Sequence, residues 1–241
     1  MIFMIPRFAS LFGLVWLVMT AGLSAAQDSV WEWQARAEVW DDAPHGPVPV
    51  APASDPNQPG LVLGLPGTAF QERYAPEFES GQADQADSYA FDGTAYAHVP
   101  DFWSNPAAFE GVIRFRPEDS ENSQTLLLVS GVFDLRLEPE AAGKVSVVFY
   151  VLSGGRPTSI RSEPIPCGEW VDVTFGLRTD HTIFLHVGEA APLEEILPGD
   201  LDPWNTYPQL FVGSSNPDRF LRPFTGAISA IRINPSGPET K

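Results

Sequence analysis

From Tyr89 onward, apolar and polar residues alternate in short runs separated by turn residues. Phe133, Leu135 and Leu137 stand against Asp134, Arg136 and Glu138; Ile183, Leu185 and Val187 stand against Thr182, Phe184 and His186. A period of two sends successive side chains to opposite faces of a strand, so each run predicts one face on a core and one more exposed. The predicted strands are Tyr89–Phe91, Ala95–Val99, Phe109–Arg116, Thr125–Val129, Phe133–Leu137, Val145–Val151, Trp170–Leu177, Thr182–Val187, Gln209–Val212 and Gly226–Ile233. Turn residues part them: DG at 92–93, PEDSEN at 117–122, SGGRP at 153–157 and RTD at 178–180. Segments with a long helical period are hard to find. The pattern predicts an all-β fold, an antiparallel sandwich of two sheets.

The N-terminal part reads differently. Residues 1–26 carry one cation, Arg7, then an uncharged apolar run from Phe8 to Leu23, then Ser24, Ala25 and Ala26. That is the layout of a secretory signal peptide cleaved after Ala26. An uncleaved anchor is the competing reading, but the run ends in small residues and not in a basic flank. Residues 27–88 are expected to form an N-terminal arm, partly packed on the sandwich. Within it VWEWQARAEVW alternates like a strand, and DDAPHGPVPVAPASDPNQPG is too rich in proline for a helix or a central strand. Residues 89–235 are the expected sandwich domain.

Composition narrows the class. The chain has 14 Lys and Arg against 31 Asp and Glu. Without residues 1–26 the balance is 13 − 31 = −18, which repels nucleic acid and anionic lipid as partners. No membrane insertion is expected after cleavage, and the predicted location is secreted or periplasmic. Cys167 is the only cysteine, which excludes an intramolecular disulfide; its setting PIPCGEW reads as a small apolar residue.

The blocks YAFDGTAYAHVP, FEGVIRFRP, TLLLVSG, FDLRLEPEAAGKVSVVFYV, IPCGEWVDVTFGLRTDHTIFLHVGEA, LFVGSS and FTGAISAIRI follow one another over residues 89–233. Their order and spacing resemble the concanavalin A-like, laminin-G-like domains of secreted proteins. That resemblance implies a jelly-roll sandwich of two antiparallel sheets. It makes Trp170, in the GEW entry to a central strand, an expected plug at the end of the core, with Phe91, Val112, Phe115, Phe224 and Ile231 also buried.

The resembling family holds both glycan-binding modules and glycan-cleaving enzymes. Retaining glycosidases need two carboxylates close together, and the Glu-x-Asp-x-x-Glu string of the laminarinase branch is missing. Asp134 and Glu138 share a strand face with Arg136 between them, which reads as a solvated, alternating-charge surface. The Arg-x-Glu-Leu and Gln-Ile-His strings of the lyases are also missing, the four histidines lack metal-ligand spacing, and no serine has a Gly-x-Ser-x-Gly setting. Relatives hold structural calcium with an aspartate where this chain has Ser229, which weakens such a site, so no cofactor is expected and calcium is the lesser alternative. Sugar binding needs aromatic faces beside planar polar groups. Two loops offer them: Phe102 and Trp103 with Asn105, and Trp204 and Tyr207 with Asp202 and Asn205. Arg114, Arg116 and Arg136 are a further cationic option, unless paired across strands. The expected function is non-catalytic recognition of a glycan or a surface protein. A structural or adhesive envelope protein is the alternative, and a polysaccharide-active enzyme a more distant one. Exported protein should begin at or near Gln27 on N-terminal sequencing; material that still begins at Met1 would refute the cleavage.

Overall fold

The computed structural model describes residues 30–36, 39–43, 46–51, 53–64, 75–81, 86–100, 102, 106–119, 121–201, 209–215 and 221–235. The signal peptide expected at 1–26 lies outside them. Two antiparallel sheets pack face to face as a sandwich. One has eight strands: β1 (Trp31–Gln34), β5 (Glu77–Glu79), β6 (Ser88–Asp92), β8 (Phe109–Pro117), β14 (Val171–Leu177), β15 (Thr182–Val187), β16 (Leu193–Ile196) and β18 (Thr225–Asn234). They run β16-β15-β14-β8-β18-β6-β5, and β1 also pairs with β18. The other sheet has ten: β2 (Val39–Ala43), β3 (Gly46–Ala51), β4 (Leu61–Leu63), β7 (Ala97–Val99), β9 (Gln124–Val129), β10 (Phe133–Glu140), β11 (Lys144–Ser153), β12 (Arg156–Arg161), β13 (Ile165–Pro166) and β17 (Leu210–Val212). Their order is β12-β11-β10-β9-β17-β7-β4-β3-β2, with β13 beside β11.

Residues 31–79 thus give strands to both sheets. Trp33 stands opposite Ile231 and is fully buried against the Tyr89 ring. The proline-rich stretch forms the β2–β3 hairpin at a sheet end. β4 reaches only Val50 and Ala51, so Pro47 and Pro49 face a ladder on one side alone, where the missing N–H is tolerated.

The core follows the alternation. Along β8, Phe109, Gly111, Ile113 and Phe115 face inward and Glu110, Val112, Arg114 and Arg116 outward. Phe109 and Phe175 from the eight-stranded sheet meet Phe133 and Phe149 from the ten-stranded one, with all six ring pairs between 5.1 and 6.4 Å. Gly111 makes this cluster possible: a Cβ there would come within 2.3 Å of the Phe175 ring. At the DG turn, Asp92 accepts the N–H groups of Thr94 and Ala95 while Gly93 takes a φ of 84°, a conformation natural to glycine.

Two expected core residues lie elsewhere. Val173, Phe175 and Leu177 point inward, so the period of two sends Trp170 outward with Asp172 and Thr174. The half-buried Trp170 ring lies under the guanidiniums of Arg116 and Arg114, at 5.3 and 5.8 Å, and plugs no core. Val112 is outward on β8 for the same reason. Phe91, Phe115, Phe224 and Ile231 are buried as expected. Phe175→Ala should therefore destabilise by about 3–5 kcal/mol, whereas Trp170→Ala should cost only about 1–2 kcal/mol, the scale of exposed cation–π contacts. Equal shifts of the two denaturation midpoints would contradict this placement.

Candidate functional site

The same alternation builds a row of side chains on the outer face of the ten-stranded sheet. Ser159 on β12 stands opposite Tyr150 on β11, Tyr150 opposite Asp134 on β10, and Asp134 opposite Leu128 on β9. The row continues through Phe211 on β17, His98 on β7 and Val62 on β4. An outer face would ordinarily be polar, yet this one carries apolar and buried residues. A cavity of about 500 Å³ opens on it, lined among others by Leu128, Asp134, Arg136, Tyr150, Leu152 and Arg222.

Its chemical centre is Asp134. Read from sequence as a solvated carboxylate, it is in fact 6% exposed. Tyr150, Arg136 and Arg222 close over it; Tyr150 comes from the second strand of the β10–β11 hairpin, and Arg222 from a segment that local sequence does not link to β10. Oδ2 accepts from Nε and Nη2 of Arg136, both at 2.7 Å, and from Nη2 of Arg222 at 3.1 Å. Oδ1 has no partner and is closed off from solvent, as is Nε of Arg222. Burial pushes the Asp134 carboxyl above the usual carboxylate range, against the opposing pull of Arg136 and Arg222. Arg136 in turn lies 4.4 Å over the Tyr150 ring. Arg222 reaches the site from a backbone with φ of 53°, its carbonyl accepting the N–H of Thr125 at 2.8 Å. Left-handed backbone at a non-glycine residue is a conformation that clusters at functional sites.

The arrangement joins apolar lining to planar donors and an acceptor, the combination that recognises polar ligands with a hydrophobic face. It does not assemble a glycosidase pair. Four residues of strand set Asp134 and Glu138 about 13 Å apart, beyond the spacing of retaining or inverting carboxylates; Glu138 is held by the Ser123 hydroxyl. The closing strand offers no carboxylate at the position read from sequence as a calcium ligand. Ser229 is 4% exposed with an unpartnered hydroxyl, a neutral oxygen that holds a hard cation more weakly than a carboxylate would. Among the described residues no group of three or more His, Cys, Asp or Glu is placed to hold a metal.

Of the loop residues read from sequence, Phe102 is half-buried, edge-on to Trp31 at 5.4 Å. Trp103, Asn105, Asp202, Trp204, Asn205 and Tyr207 lie outside the described residues. The three arginines read as a cationic option divide between the sheets. Arg114 and Arg116 pair with Asp172 and Glu118 on the eight-stranded sheet, Arg136 with Asp134 on the other. The cavity residues carried one sequence signal: Leu128, Tyr150 and Leu152 are large apolar or aromatic residues at outward positions.

No family model matches the sequence, and no curated protein does. Solved structures do. Domain 4 of AbnA, a GH43 extracellular arabinanase from Geobacillus stearothermophilus, in complex with arabinotriose, is 14% identical with a TM-score of 0.53, over 75% of this chain and 84% of that one. The binding domain of botulinum neurotoxin DC, in complex with SialylT, is 6% identical with a TM-score of 0.50, over 84% and 48%. Domains LG4-5 of the mouse laminin alpha1 chain are 19% identical with a TM-score of 0.45, over 66% and 41%. The chain has the concanavalin A-like jelly-roll fold. At these identities the likeness extends to the fold alone.

His98, in the same outer row, gives the face a pH signature. It is 8% exposed beside the rings of Tyr96 and Phe211, and burial lowers its pKa from 6.5 to about 4. The unfolded chain then takes up the imidazole proton before the folded one does. This contribution to stability is intact above pH 6.5 and is lost as pH falls toward 4, by about 3 kcal/mol over the whole window. Denaturant titrations at pH 7 and pH 5 should show a smaller drop for His98→Gln than for the native chain. Equal drops would mean that the imidazole takes up protons freely in the fold.

Proposed function

We propose that this protein is an exported, non-catalytic carbohydrate-recognition domain whose ligand lies on the outer face of the ten-stranded sheet. The observation that carries the reading is the cavity over Asp134. There a carboxylate nine-tenths removed from solvent stands with two guanidiniums and a tyrosine ring among apolar side chains. Sugars offer a C–H face and a hydroxyl rim, and the cavity offers partners for both. The fold supports the reading, since two solved domains that share it, from the arabinanase and from the neurotoxin, are described in complex with arabinotriose and SialylT. Its partners are then glycans or surface glycoconjugates, met outside the cytoplasm after removal of residues 1–26. Among the described residues no helix is long and apolar enough to cross a membrane. The loops bearing Trp103, Trp204 and Tyr207 are the second place where a sugar would find aromatic rings.

A glycan array with the chain from Gln27, followed by titration of the best ligand, tests this. Stacking of a base on a protein aromatic is worth ~1–3 kcal/mol, and a sugar ring is expected at the lower end. Tyr150→Ala should thus weaken binding from several-fold to about a hundredfold, with a far smaller change in unfolding midpoint than Phe175→Ala. Undiminished affinity in Tyr150→Ala, with affinity lost in Trp103→Ala or Trp204→Ala, would move the site to the loops.

A further inference from the structure

The cavity's polar groups also discriminate between kinds of glycan. Oδ2 of Asp134 is already engaged by Arg136 and Arg222. What remains unpaired is one acceptor, Oδ1 of Asp134, and one donor, Nε of Arg222. The Asp134 side chain is 8% exposed, so bulk water does not supply the missing partner freely. Buried polar groups are paired in nearly all native structures, and an unpaired one asks what fills it. A group that satisfies both orphans must donate and accept at once. A hydroxyl does so. A carboxylate or sulfate ester only accepts, and would set its charge against Oδ1.

The local charge points the same way. The charged residues lining the cavity are Asp134, Arg136 and Arg222. Glu138 stands next on the same outward side of β10, and its charge presses on Asp134 in the sense that an anionic ligand's would. Both guanidiniums of the lining are already committed to Asp134, Arg136 at 2.7 Å and Arg222 at 3.1 Å, which leaves no unengaged cation to attract an acid. Entry also has a natural route. The Arg222 contact to Asp134 is the longer of the two, 3.1 Å against 2.7 Å, so it is the one to open.

Resting on the carbohydrate reading of this cavity, the geometry points to a neutral, hydroxyl-bearing glycan as its ligand, to the exclusion of uronate, sulfated or sialylated ones. A ligand hydroxyl replaces the direct Arg222–Asp134 contact, donating to Oδ1 and accepting from the Arg222 guanidinium. Leu128, Tyr150 and Leu152 line the space for the sugar's apolar face.

The test is a matched panel: neutral arabino-, galacto-, gluco- and manno-oligosaccharides against polyuronate, sulfated and sialylated oligosaccharides, read by affinity. The native chain should bind neutral members only. Asp134→Asn should weaken that binding tenfold or more, and Arg222→Lys, which keeps the charge but loses Nε, should weaken it several-fold. Unfolding midpoints are read beside each affinity, and Arg222→Lys keeps the test open should Asp134→Asn fold poorly. Preference for acidic glycans, tightened by Asp134→Asn, would overturn the neutral assignment and spare the carbohydrate site. Absence of binding across the whole panel, or binding indifferent to Asp134→Asn, Arg222→Lys and Tyr150→Ala alike, would overturn the site itself.

Discussion

The contact of Phe109, Phe133, Phe149 and Phe175 is the joint on which the two sheets depend. Each sheet contributes two rings, and every ring touches the other three. Such pairs add to the burial of their own area only when the rings keep offset or edge-on geometry, so the cluster fixes how the sheets sit as well as holding them together. Gly111 is part of the same joint, because Phe175 occupies the space its side chain would take.

That joint bears directly on the outer face. Phe133 precedes Asp134 and Phe149 precedes Tyr150, and the paired strands place Asp134 opposite Tyr150. In each strand the inward ring and the outward functional side chain are neighbours on one backbone. The rings below cannot shift without the carboxylate and the phenol above them shifting too. Interiors are packed closely enough to transmit such strain, which gives the cavity a rigid floor.

The alternation made the inner and outer faces legible from sequence, and the seven ordered blocks made the jelly roll legible. Trp170 was misread because a large ring beside a GEW turn suggests a plug, although the parity of Val173, Phe175 and Leu177 already put it outside. The cavity was missed for a different reason. Asp134 and Arg136 were visible as outward residues, but Arg222 arrives from 88 residues away. No local pattern tells whether an outward carboxylate will be covered. That depends on which strands pair and on the left-handed turn of backbone at Arg222.

The two outer faces then differ in how they treat charge. On the eight-stranded sheet Arg114–Asp172 and Arg232–Glu110 are ion pairs with arginines 43% and 48% exposed. Pairs of that kind contribute little and cost little. On the ten-stranded sheet Asp134 is paired twice but withdrawn from water, with one oxygen unsatisfied. Desolvating a charge is expensive, and a buried pair seldom recovers the full cost from its own Coulomb attraction. A fold that only needed stability would be served as well by an apolar residue at 134, where the neighbours Leu128 and Leu152 are already apolar. The buried carboxylate is therefore better explained by what it can bind than by what it holds together, and this asymmetry is the reason the proposed ligand is placed on one face of the sandwich and not the other.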